Sequence, residues 1–493
     1  MQEILLVLTP LFPMLCAALC WFLPALRQVK ARNAFVMTSL TLSLLLVVAL
    51  SLTGDGMITL FSITSTLPIV FRSDALGRLF ALLICAMWLN SGAFSFGYMA
   101  HEDGQRRYYT FYLLTLGALL GISFAGTLVT MYLCFEMMTL LSVALVLHNM
   151  TKEAVAAGVK YLIYSIAGAM MGLFGIFFFT QSARTPLFVP GGSLDPAAVA
   201  QSGGLLLWVL LVTIIGFGTK AGMFPMHGWL PTAHPIAPAP ASAVLSGVIT
   251  KAGVLCIIRV LYYVVGPDFV RGTWVQTVLL ILALITVFMG SMMAFKVTGL
   301  KRRLAYSTVS QVSYMLFGLF LLNEIAFTGA LLHVYFHSIM KNALFLCAGA
   351  VIHQTGKTDV RDLRGVGKQM PVTLWCFTLA GVGLVGVPPF SGFLSKWQLA
   401  QGALGSAVPV FSWLGPVVLL VSALLTAAYL LPVSIDAFFP GHSGDGDAAV
   451  LAPCEVGVKM YAPFIILAAL TVILGLWPSL LQTAVESIAA GVL

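Results

Sequence analysis

The sequence predicts an all-α polytopic membrane protein with about fourteen transmembrane helices. The first observation is composition: 60% of the 493 residues are hydrophobic and 9% are charged, whereas about a quarter of the residues of soluble domains are charged. The second is continuity, because apolar runs of about 20 residues, the length that crosses a bilayer, follow one another along nearly the whole chain. The apolar runs leave no segment that is long and polar enough for a separate soluble domain, so we expect residues 1–493 to form a single membrane domain.

The apolar runs give the approximate bounds of the helices. One long run, residues 108–148, contains Glu136 as its one ionisable carboxylate and can hold two spans joined by a turn near Gly121–Gly126. Two stretches rich in Gly, Pro, Ser and Asp, residues 181–203 and 438–458, are predicted to be connections. The predicted spans lie near residues 4–25, 34–53, 76–100, 108–148 as a pair, 156–180, 204–232, 241–264, 275–296, 304–322, 325–353, 372–402, 411–437 and 460–482.

Two predicted helices contain prolines beside polar residues, which is typical of helices that break inside the membrane. Pro225 and Pro231 lie in helix 7, and Pro388 and Pro389 lie in helix 12. Helices 4–8 and 9–13 then form two repeats of five helices, and an odd number of helices per repeat inverts the second relative to the first. We expect helices 1–3 in residues 1–107, the first repeat in 108–264, the second in 275–437 and helix 14 in 460–493.

The positive charges predict the orientation of the chain. A net charge of +8 would suit a nucleic acid or an acidic partner, but most Lys and Arg fall in short loops at alternate helix ends, the positive-inside pattern. We therefore expect no nucleic-acid partner, these loops on the cytoplasmic side, and both termini on the other side. The loops follow helices 1, 3, 5, 9 and 11 and contain Arg27, Lys30 and Arg32, then Arg106 and Arg107, Lys152, Lys296 with Lys301, Arg302 and Arg303, and Lys357 with Arg361, Arg364 and Lys368.

The cysteines argue against a bound prosthetic group. Most of the eight cysteines lie inside apolar runs and no C-x-x-C pair occurs, so we expect no iron–sulfur cluster, haem or disulfide framework. The N-terminal stretch lacks a basic region and a small-residue cleavage site, which favours a retained first helix over a signal peptide. We expect no cofactor and no metal on this chain.

The segment from Ile214 to Arg259 is as apolar as a spanning helix and yet contains Lys220 and Lys251. A lysine at the centre of a spanning helix costs about 2.5–3.5 kcal/mol on insertion scales, so a functional reason is expected. The ionisable residues inside predicted spans are Glu136, Lys220, Lys251, Arg259, Lys341 and Lys396.

Glu136 is the one carboxylate in the hydrophobic depth of the first repeat, which makes it the expected partner of Lys220. Burial favours a neutral lysine and a nearby carboxylate favours the ammonium, so a lysine held between these influences can bind and release a proton. The alternative is a static buried ion pair that only fixes packing. For Arg259, and for Lys160 at the start of helix 6, we favour a side chain that extends to the lipid headgroups.

Helix 11 contains His333, His337 and Lys341 at every fourth position, which places them on one face of the helix. Imidazole titrates near physiological pH and passes protons through either nitrogen. A metal site can use the same spacing, but the glutamate of H-E-x-x-H is missing and no third ligand is obvious. We therefore favour a proton relay or a hydrated core over a metal site.

Three further groups are secondary candidates. His227 and His234 flank the proline-containing part of helix 7, where they can act as relays or as caps of the broken helix. Ser310 and Gln311 belong to a polar face of helix 10 that can hold a water chain or bond neighbouring helices. Lys396 follows the prolines of GVPPFSGFLSK, where freed carbonyls can line a hydrated cavity.

The motifs around these residues resemble those of the antiporter-like subunits of respiratory complex I. The same family includes large subunits of Mrp-type Na+/H+ antiporters and of membrane-bound, energy-converting hydrogenases. The resemblance extends over roughly residues 70–440, in matching order. It is carried by CFEMMTL, GTKAGMFPMHGWLPTAH, GVITKAG, LKRRLAYSTVSQVSYM, HVYFHSIMKNALFLCAG and GVPPFSGFLSKW.

This resemblance implies a fourteen-helix fold with two inverted five-helix repeats and a central hydrophilic axis along which protons move. The lysine at position 396 disfavours the subtype with a glutamate there, and the motif His227-Gly228-Trp229 favours complex I-like or hydrogenase-like members over the D-type chains of Mrp antiporters. By position, the resemblance implies that Glu136 is the helix 5 glutamate, Lys220 the helix 7 lysine paired with it, Lys251 the helix 8 lysine that links the halves, His333, His337 and Lys341 the helix 11 relay, and Lys396 the terminal residue of helix 12.

The function implied is that of a proton-translocating, antiporter-like subunit of a complex I-like or hydrogenase-like respiratory complex in the prokaryotic cytoplasmic (inner) membrane. The alternative is a subunit of a multisubunit Mrp-type Na+/H+ antiporter without a redox partner, and whether Na+ moves stays open. Expected partners are homologous antiporter-like subunits, small membrane subunits, peripheral redox subunits and the lipid bilayer. Redox chemistry is expected on partner subunits. A non-translocating scaffold is a further alternative, and it predicts that the buried charges are dispensable.

Overall fold

The computed structural model describes residues 2–64, 66–440 and 454–493, so residues 441–453 of the second predicted connection lie outside the described part. Within the described part, eleven helices are long and apolar enough, by length and composition, to cross a membrane. Three further spans, two of them more polar and one broken, complete the predicted fourteen: Gln105–Ser123, Leu300–Phe320, and Pro371–Val385 with Ser391–Leu404. The predicted fold class of a polytopic helical membrane protein is confirmed.

The N-terminal part contains three spans and a small sheet that the sequence did not predict. Two helices, α1 (Gln2–Phe22) and α2 (Val29–Leu52), precede an antiparallel hairpin of β1 (Gly56–Ser62) and β2 (Pro68–Ser73), and α3 (Ala75–Tyr98) follows. The side chain of Asp74 caps α3 by accepting a hydrogen bond from the Gly77 N–H at 2.8 Å. The hairpin is an addition to the helical fold, in the connection between the second and third spans.

The next four spans include the first predicted break. A short turn at the predicted position joins α4 (Gln105–Ser123) to α5 (Leu128–Val146), and α6 (Lys152–Ser182) follows. The seventh span begins as α7 (Pro196–Ala221), ends at Gly222 with a φ of 79°, and resumes as α8 (Leu230–Ile236). A glycine accommodates this left-handed helix end without steric cost. Helix 7 is therefore broken, as its prolines predicted.

The eighth span is the most buried part of the molecule. It combines α9 (Ala239–Val244), a π-helical segment (Leu245–Ile249), α10 (Thr250–Ile258) and a second π-helical segment (Arg259–Val265). Its most apolar window is 100% buried, as expected for a helix that is apolar on all sides. The two π-helical segments lie on either side of Lys251, and such segments are frequent at functional sites.

The following five spans contain the second break. They are α12 (Trp274–Lys296) after the short α11 (Pro267–Val270), α13 (Leu300–Phe320), α14 (Glu324–Thr355), then α16 (Pro371–Val385) with α17 (Ser391–Leu404) after the short α15 (Val366–Gln369), and α18 (Pro409–Phe438). The chain leaves α16 at Gly386, with a φ of 93°, and passes Pro388 and Pro389 before α17 begins. The second predicted break is therefore present. In the predicted division into helices 4–8 and 9–13, each break falls in the fourth helix.

The C-terminal part differs from the single predicted helix near 460–482. It forms α19 (Val458–Leu476) and a separate α20 (Ser479–Val492), and Pro478 lies between them. Buried residues of α20 recur at Val485, Ile488, Ala489 and Val492, the spacing of an amphipathic helix. Residues 460–482 therefore contain a helix boundary, and a short amphipathic helix follows the last span.

Candidate functional site

Lys220 lies at the end of α7, one residue before the helix stops, and only 1% of its surface is exposed. Its Nζ donates hydrogen bonds to the Tyr161 hydroxyl at 2.8 Å and the Ser165 hydroxyl at 3.1 Å, both on α6. The ammonium also lies 4.4 Å from the centroid of the Tyr161 ring and 5.7 Å from that of Trp229. Hydroxyl oxygens and aromatic faces together stabilise a cation that has left water.

Glu136 is on α5, half-buried, and its Oε1 atom has no hydrogen-bond partner. It does not form a salt bridge with Lys220, whose contacts are the two hydroxyls of α6. A hydrogen-bonded connection from α5 to the lysine exists through Ser142, whose hydroxyl lies 2.6 Å from that of Tyr161. The two residues predicted as a direct pair are therefore separate in this structure, and Tyr161 bridges α5 and α7.

Neither histidine of the broken seventh span caps a helix end. The end of α7 is capped by Trp229, whose Nε1 donates to the Thr219 carbonyl at 2.8 Å. The end of α8 is capped by Lys301, which donates to the Ala237 carbonyl at 2.6 Å. His227 stacks on Phe224, and its Nδ1 has no partner. The wholly buried His234 stacks on Phe345 of α14, and both of its ring nitrogens lack partners. Trp229 and Lys301 therefore bond to the helix ends, in the role of helix cap that the sequence suggested for His227 and His234.

Lys251 joins the eighth span to α14. Its Nζ donates to the Ser246 carbonyl at 2.6 Å and lies 2.7 Å from Nδ1 of His337. Both side chains are buried. An ammonium and an imidazole nitrogen at this separation share a proton along one hydrogen bond, so proton transfer between them needs no intermediate group.

His333, one turn before His337, has both ring nitrogens bonded. Its Nε2 is 3.1 Å from Gln311 Oε1 and its Nδ1 is 2.9 Å from the Ser395 hydroxyl. With Gln311 oriented so that its oxygen faces the ring, Nε2 carries the hydrogen and Nδ1 accepts from Ser395. The His333 and His337 ring centroids are 5.8 Å apart, and His337 Nε2 has no partner.

Two lysines complete the second half of the site. Lys341, wholly buried on α14, donates to the Leu304 carbonyl of α13 at 3.1 Å. Lys396 on α17 donates to the Leu384 and Val385 carbonyls at 2.7 and 3.0 Å, where α16 ends at the second break. A cation at a helix C-terminus satisfies carbonyls that have no partner within the helix. Lys396 follows Ser395 directly in the chain and so lies beside the histidine contact.

Ser310 takes part in bonding between helices. Its hydroxyl contacts those of Ser291 on α12 at 2.8 Å and Ser422 on α18 at 3.2 Å. Of the two predicted roles for the polar face of α13, these contacts favour helix bonding for Ser310, whereas Gln311 contacts His333.

The structure corrects the interpretation of Arg259. This residue does not extend to the headgroups: it is 1% exposed and binds Asp74 through two hydrogen bonds of 2.6 and 2.8 Å. Lys160 likewise donates to the Thr232 hydroxyl at the start of α8, at 3.0 Å. The signal that could have identified the partner of Arg259 is an aspartate placed directly before an apolar helix.

Within the described residues, no group of three or more His, Cys, Asp and Glu side chains has a geometry that can hold a metal ion. On α14, Nδ1 of His337 lies 2.7 Å from the Lys251 ammonium of the eighth span, which competes for the lone pair a metal would use.

These features define a polytopic membrane protein in which the two broken spans, the eighth span and α14 contain buried and half-buried ionisable side chains. Residues 125–426 match the family described as NADH:quinone oxidoreductase/Mrp antiporter, TM. The chain belongs to this family, as its motifs predicted.

Two relatives represent different kinds of complex. The chain is 34% identical over 407 residues to the N chain of the NADH-quinone oxidoreductase of Desulforudis audaxviator (strain MP104C), covering 78% of this chain and 77% of that protein. It is 29% identical over 444 residues to the D chain of the Na(+)/H(+) antiporter of Alkalihalophilus pseudofirmus (strain ATCC BAA-2126 / JCM 17055 / OF4), covering 89% and 87%. The similarities thus favour neither the complex I-like nor the Mrp-type interpretation.

The fold is also similar to that of a solved structure, the Mrp complex from Dietzia sp. DQ12-45-1b. The TM-score is 0.85 and the sequence identity 23%, and the match covers 98% of this chain and 97% of that chain. At this identity the similarity establishes the fold alone. The fold therefore occurs in a chain of a multisubunit membrane complex.

Proposed function

We propose that this chain is the ion-translocating subunit of a multisubunit membrane complex, and that protons move from Glu136 and Lys220 through Lys251 and the helix 11 residues His333, His337 and Lys341 to Lys396. The observation that carries the proposal is the 2.7 Å contact between Lys251 Nζ and His337 Nδ1, two titratable groups that are both buried. Folding alone does not favour such a pair, because each group loses hydration on burial.

The balance of charge supports proton exchange in this row. It contains four lysines, Lys220, Lys251, Lys341 and Lys396, and Glu136 as its one carboxylate. Inside the fold, neighbouring charges repel one another more strongly than in water, so a charge on Lys341 disfavours a charge on Lys251, and a charge on Lys396 disfavours one on Lys341. A proton that arrives at one lysine therefore favours release from its neighbour, which couples the protonation of adjacent sites.

In the second half, transfer through His333 requires rotation of a hydroxyl. A proton that binds Nδ1 must displace the hydrogen that Ser395 donates, so Ser395 turns its hydroxyl toward another acceptor. The Gly392 carbonyl, 3.2 Å from the Ser395 oxygen, is available for this. Lys396 then lies next to the serine, at the helix break where freed carbonyls bind its ammonium.

In the first repeat, Glu136 and Lys220 couple movement of a neighbouring subunit to proton transfer. Lys220 is held by Tyr161 and Ser165 in the absence of direct contact with Glu136. Movement of α5 relative to α7, driven by a neighbouring subunit, would form or break that contact and change the protonation of Lys220. The complex is expected in the prokaryotic cytoplasmic membrane, with both termini extracytoplasmic.

A second candidate is Na+/H+ exchange without a redox partner. The similarity over 89% of this chain to a protein named as part of a Na(+)/H(+) antiporter supports it to the same degree as the first candidate is supported by the similarity to a chain of an NADH-quinone oxidoreductase. The identity of the co-purifying subunits separates the two candidates: homologous antiporter-like and peripheral redox subunits support a redox-driven pump, and small membrane subunits alone support exchange.

The test uses Lys220→Ala and Glu136→Ala in inverted membrane vesicles from cells that express the chain with its partner subunits. Both variants are expected to abolish proton translocation while the complex still assembles, since the changes remove titratable groups and no large packing element. Lys459→Ala is the matched control, because this lysine is exposed at the start of α19. Full proton translocation by both Lys220→Ala and Glu136→Ala would refute the proposal and favour the alternative of a non-translocating scaffold.

A further inference from the structure

Asn342 follows Lys341 on α14 but contacts a different side of the molecule. Lys341 bonds to α13, whereas the Oδ1 atom of Asn342 accepts a hydrogen bond from the Ser91 hydroxyl of α3 at 2.8 Å. Its Nδ2 donates to the Ser338 carbonyl at 3.0 Å. Both Asn342 and Ser91 are wholly buried. An amide so deep in an apolar helix bundle costs free energy unless it is bonded, and here its bonds tie α14 to α3.

The same amide lies directly against the eighth span at Gly247. A Cβ atom at position 247 would overlap Asn342 Nδ2 and would lie 3.4 Å from the Ser338 carbonyl oxygen. Gly247 belongs to the π-helical segment Leu245–Ile249. The absence of a side chain there allows the amide to contact the backbone of the π turn.

The residue before Gly247 supplies the backbone contact of the central lysine. The Ser246 carbonyl accepts from Lys251 Nζ at 2.6 Å and from the Thr250 hydroxyl at 2.8 Å. The Ser246 hydroxyl is fixed from α13 by Thr308 at 2.7 Å. The π turn is thus held from α13 by Thr308 and from α14 by Asn342, and the carbonyl between these two supports receives the Lys251 ammonium.

We propose that Asn342 is a positioning residue for Lys251: with Ser91 it holds the π turn at Gly247, so that the Ser246 carbonyl and His337 Nδ1 receive the lysine side chain together. The proposal rests on the ion-translocating function above, and it makes α3 part of the machinery. A shift of α3 reaches Lys251 through the Ser91–Asn342 hydrogen bond, the contact of Asn342 with Gly247 and the bond from Lys251 to the Ser246 carbonyl, without another charged group in between.

The experiment measures proton translocation per assembled complex in the same vesicles for Asn342→Ala, Ser91→Ala, the double variant and Ser91→Thr. Each alanine variant is expected to slow translocation by about 10-fold or more, because a displacement of about 1 Å at a proton-transfer contact is costly. The double variant is expected to be no slower than Asn342→Ala, since both changes break one hydrogen bond. Ser91→Thr keeps the hydroxyl and is expected to retain most of the rate.

The matched control is Asn90→Ala. Asn90 is one residue from Ser91 and also makes a single side-chain hydrogen bond, to the Pro463 carbonyl of α19, away from Lys251. It is expected to translocate at the wild-type rate. Wild-type translocation by Asn342→Ala, a loss that follows only reduced assembly, or multiplying losses in the double variant would each overturn the positioning role. If Lys220→Ala is inactive while Asn342→Ala is fully active, this proposal fails alone; if both are fully active, the proposed function fails too.

Discussion

A buried ion pair fixes the third span to the eighth. Arg259 and Asp74 form two charge-assisted hydrogen bonds, with 1% and 10% of their side chains exposed. The guanidinium also lies 4.6 Å from the Tyr263 ring centroid and 5.2 Å from that of Phe188. Each charge is compensated mainly by the other, so removal of one partner leaves a buried charge without its ion pair.

Arg259→Met is therefore expected to destabilise the protein by about 3–5 kcal/mol. Asp74→Asn combined with Arg259→Met is expected to be more stable than Arg259→Met alone, because no unpaired charge remains and the asparagine still caps α3. Thermal unfolding in detergent, followed by a thiol-reactive dye, measures this, since seven cysteines are buried. The control is Arg361→Met at an exposed ion pair, which is expected to leave the unfolding temperature unchanged. Equal stability of the single and double variants would contradict the argument.

The sequence identified the ionisable residues of the site but not their contacts. Glu136, Lys220, Lys251, Lys341 and Lys396 stand out because a charge inside an apolar run is rare and costly. The four lysines contact a tyrosine, a serine, the imidazole of His337 and backbone carbonyls, and apart from that histidine these are groups that occur throughout the chain. Lys220 therefore has its bonds to Tyr161 and Ser165, and not to the carboxylate that charge alone suggested.

At the scale of helices, the broken spans place the lysines. The seventh and eighth spans touch at Gly253, where a Cβ atom would lie 2.8 Å from the Ala221 nitrogen, 2.9 Å from the Phe217 carbonyl oxygen and 3.1 Å from Lys220 Cβ. The absence of a side chain at Gly253 thus lets the end of α7, and with it Lys220, lie against the helix that contains Lys251.

Gly253→Val is expected to separate these helices and to displace Lys220, with an overpacking cost of about 1–3 kcal/mol and a large loss of translocation. Gly204→Val is the control, because a Cβ atom at position 204 of α7 meets nothing within 4 Å. The measurements are proton translocation in vesicles and the unfolding temperature, for Gly253→Val and Gly204→Val. Wild-type translocation by Gly253→Val would show that this helix contact does not position Lys220.

The second break permits a separation of structural and chemical roles at Lys396. Its ammonium donates to two carbonyls at the end of α16. Lys396→Gln keeps a donor but cannot carry a proton, so it is expected to preserve the break and stop translocation. Lys396→Met removes the donor as well and is expected to raise hydrogen exchange of the amides in residues 386–392. Retained translocation in Lys396→Gln would exclude this residue from the proton path.

The helices and both breaks were predictable because bilayer thickness sets helix length and because proline cannot continue a helix. The π-helical segments were not, since each differs from an α-helix by a local shift in hydrogen bonding that leaves no period in an apolar sequence. The β1–β2 hairpin was also missed, because a short amphiphilic segment between two long apolar runs has little to distinguish it from an irregular connection.

For the whole molecule, the predicted orientation in the membrane depends on the basic residues of the loops, and the structure shows that two of these residues are buried. The charge pattern places Lys301 and Arg303 in a cytoplasmic loop, but both are buried and bond to carbonyls, Lys301 to Ala237 at 2.6 Å and Arg303 to Tyr429 at 2.9 Å. Such residues stabilise packing and give no independent information on sidedness. The loops after the first, third, fifth, ninth and eleventh spans still contain unburied basic residues, Lys296 and Arg302 among them, so the predicted orientation stands as a proposal.

Thiol labelling tests this orientation directly. In a Cys454→Ser background the other seven cysteines are buried, so single cysteines at the exposed positions Gln201 and Thr358 report their own side of the membrane. Gln201 is near the start of the seventh span, and Thr358 follows the eleventh. The positive-inside pattern predicts that Gln201→Cys reacts with a membrane-impermeant maleimide on intact cells and that Thr358→Cys reacts only in inverted vesicles. The reverse pattern would place both termini in the cytoplasm and overturn the predicted orientation.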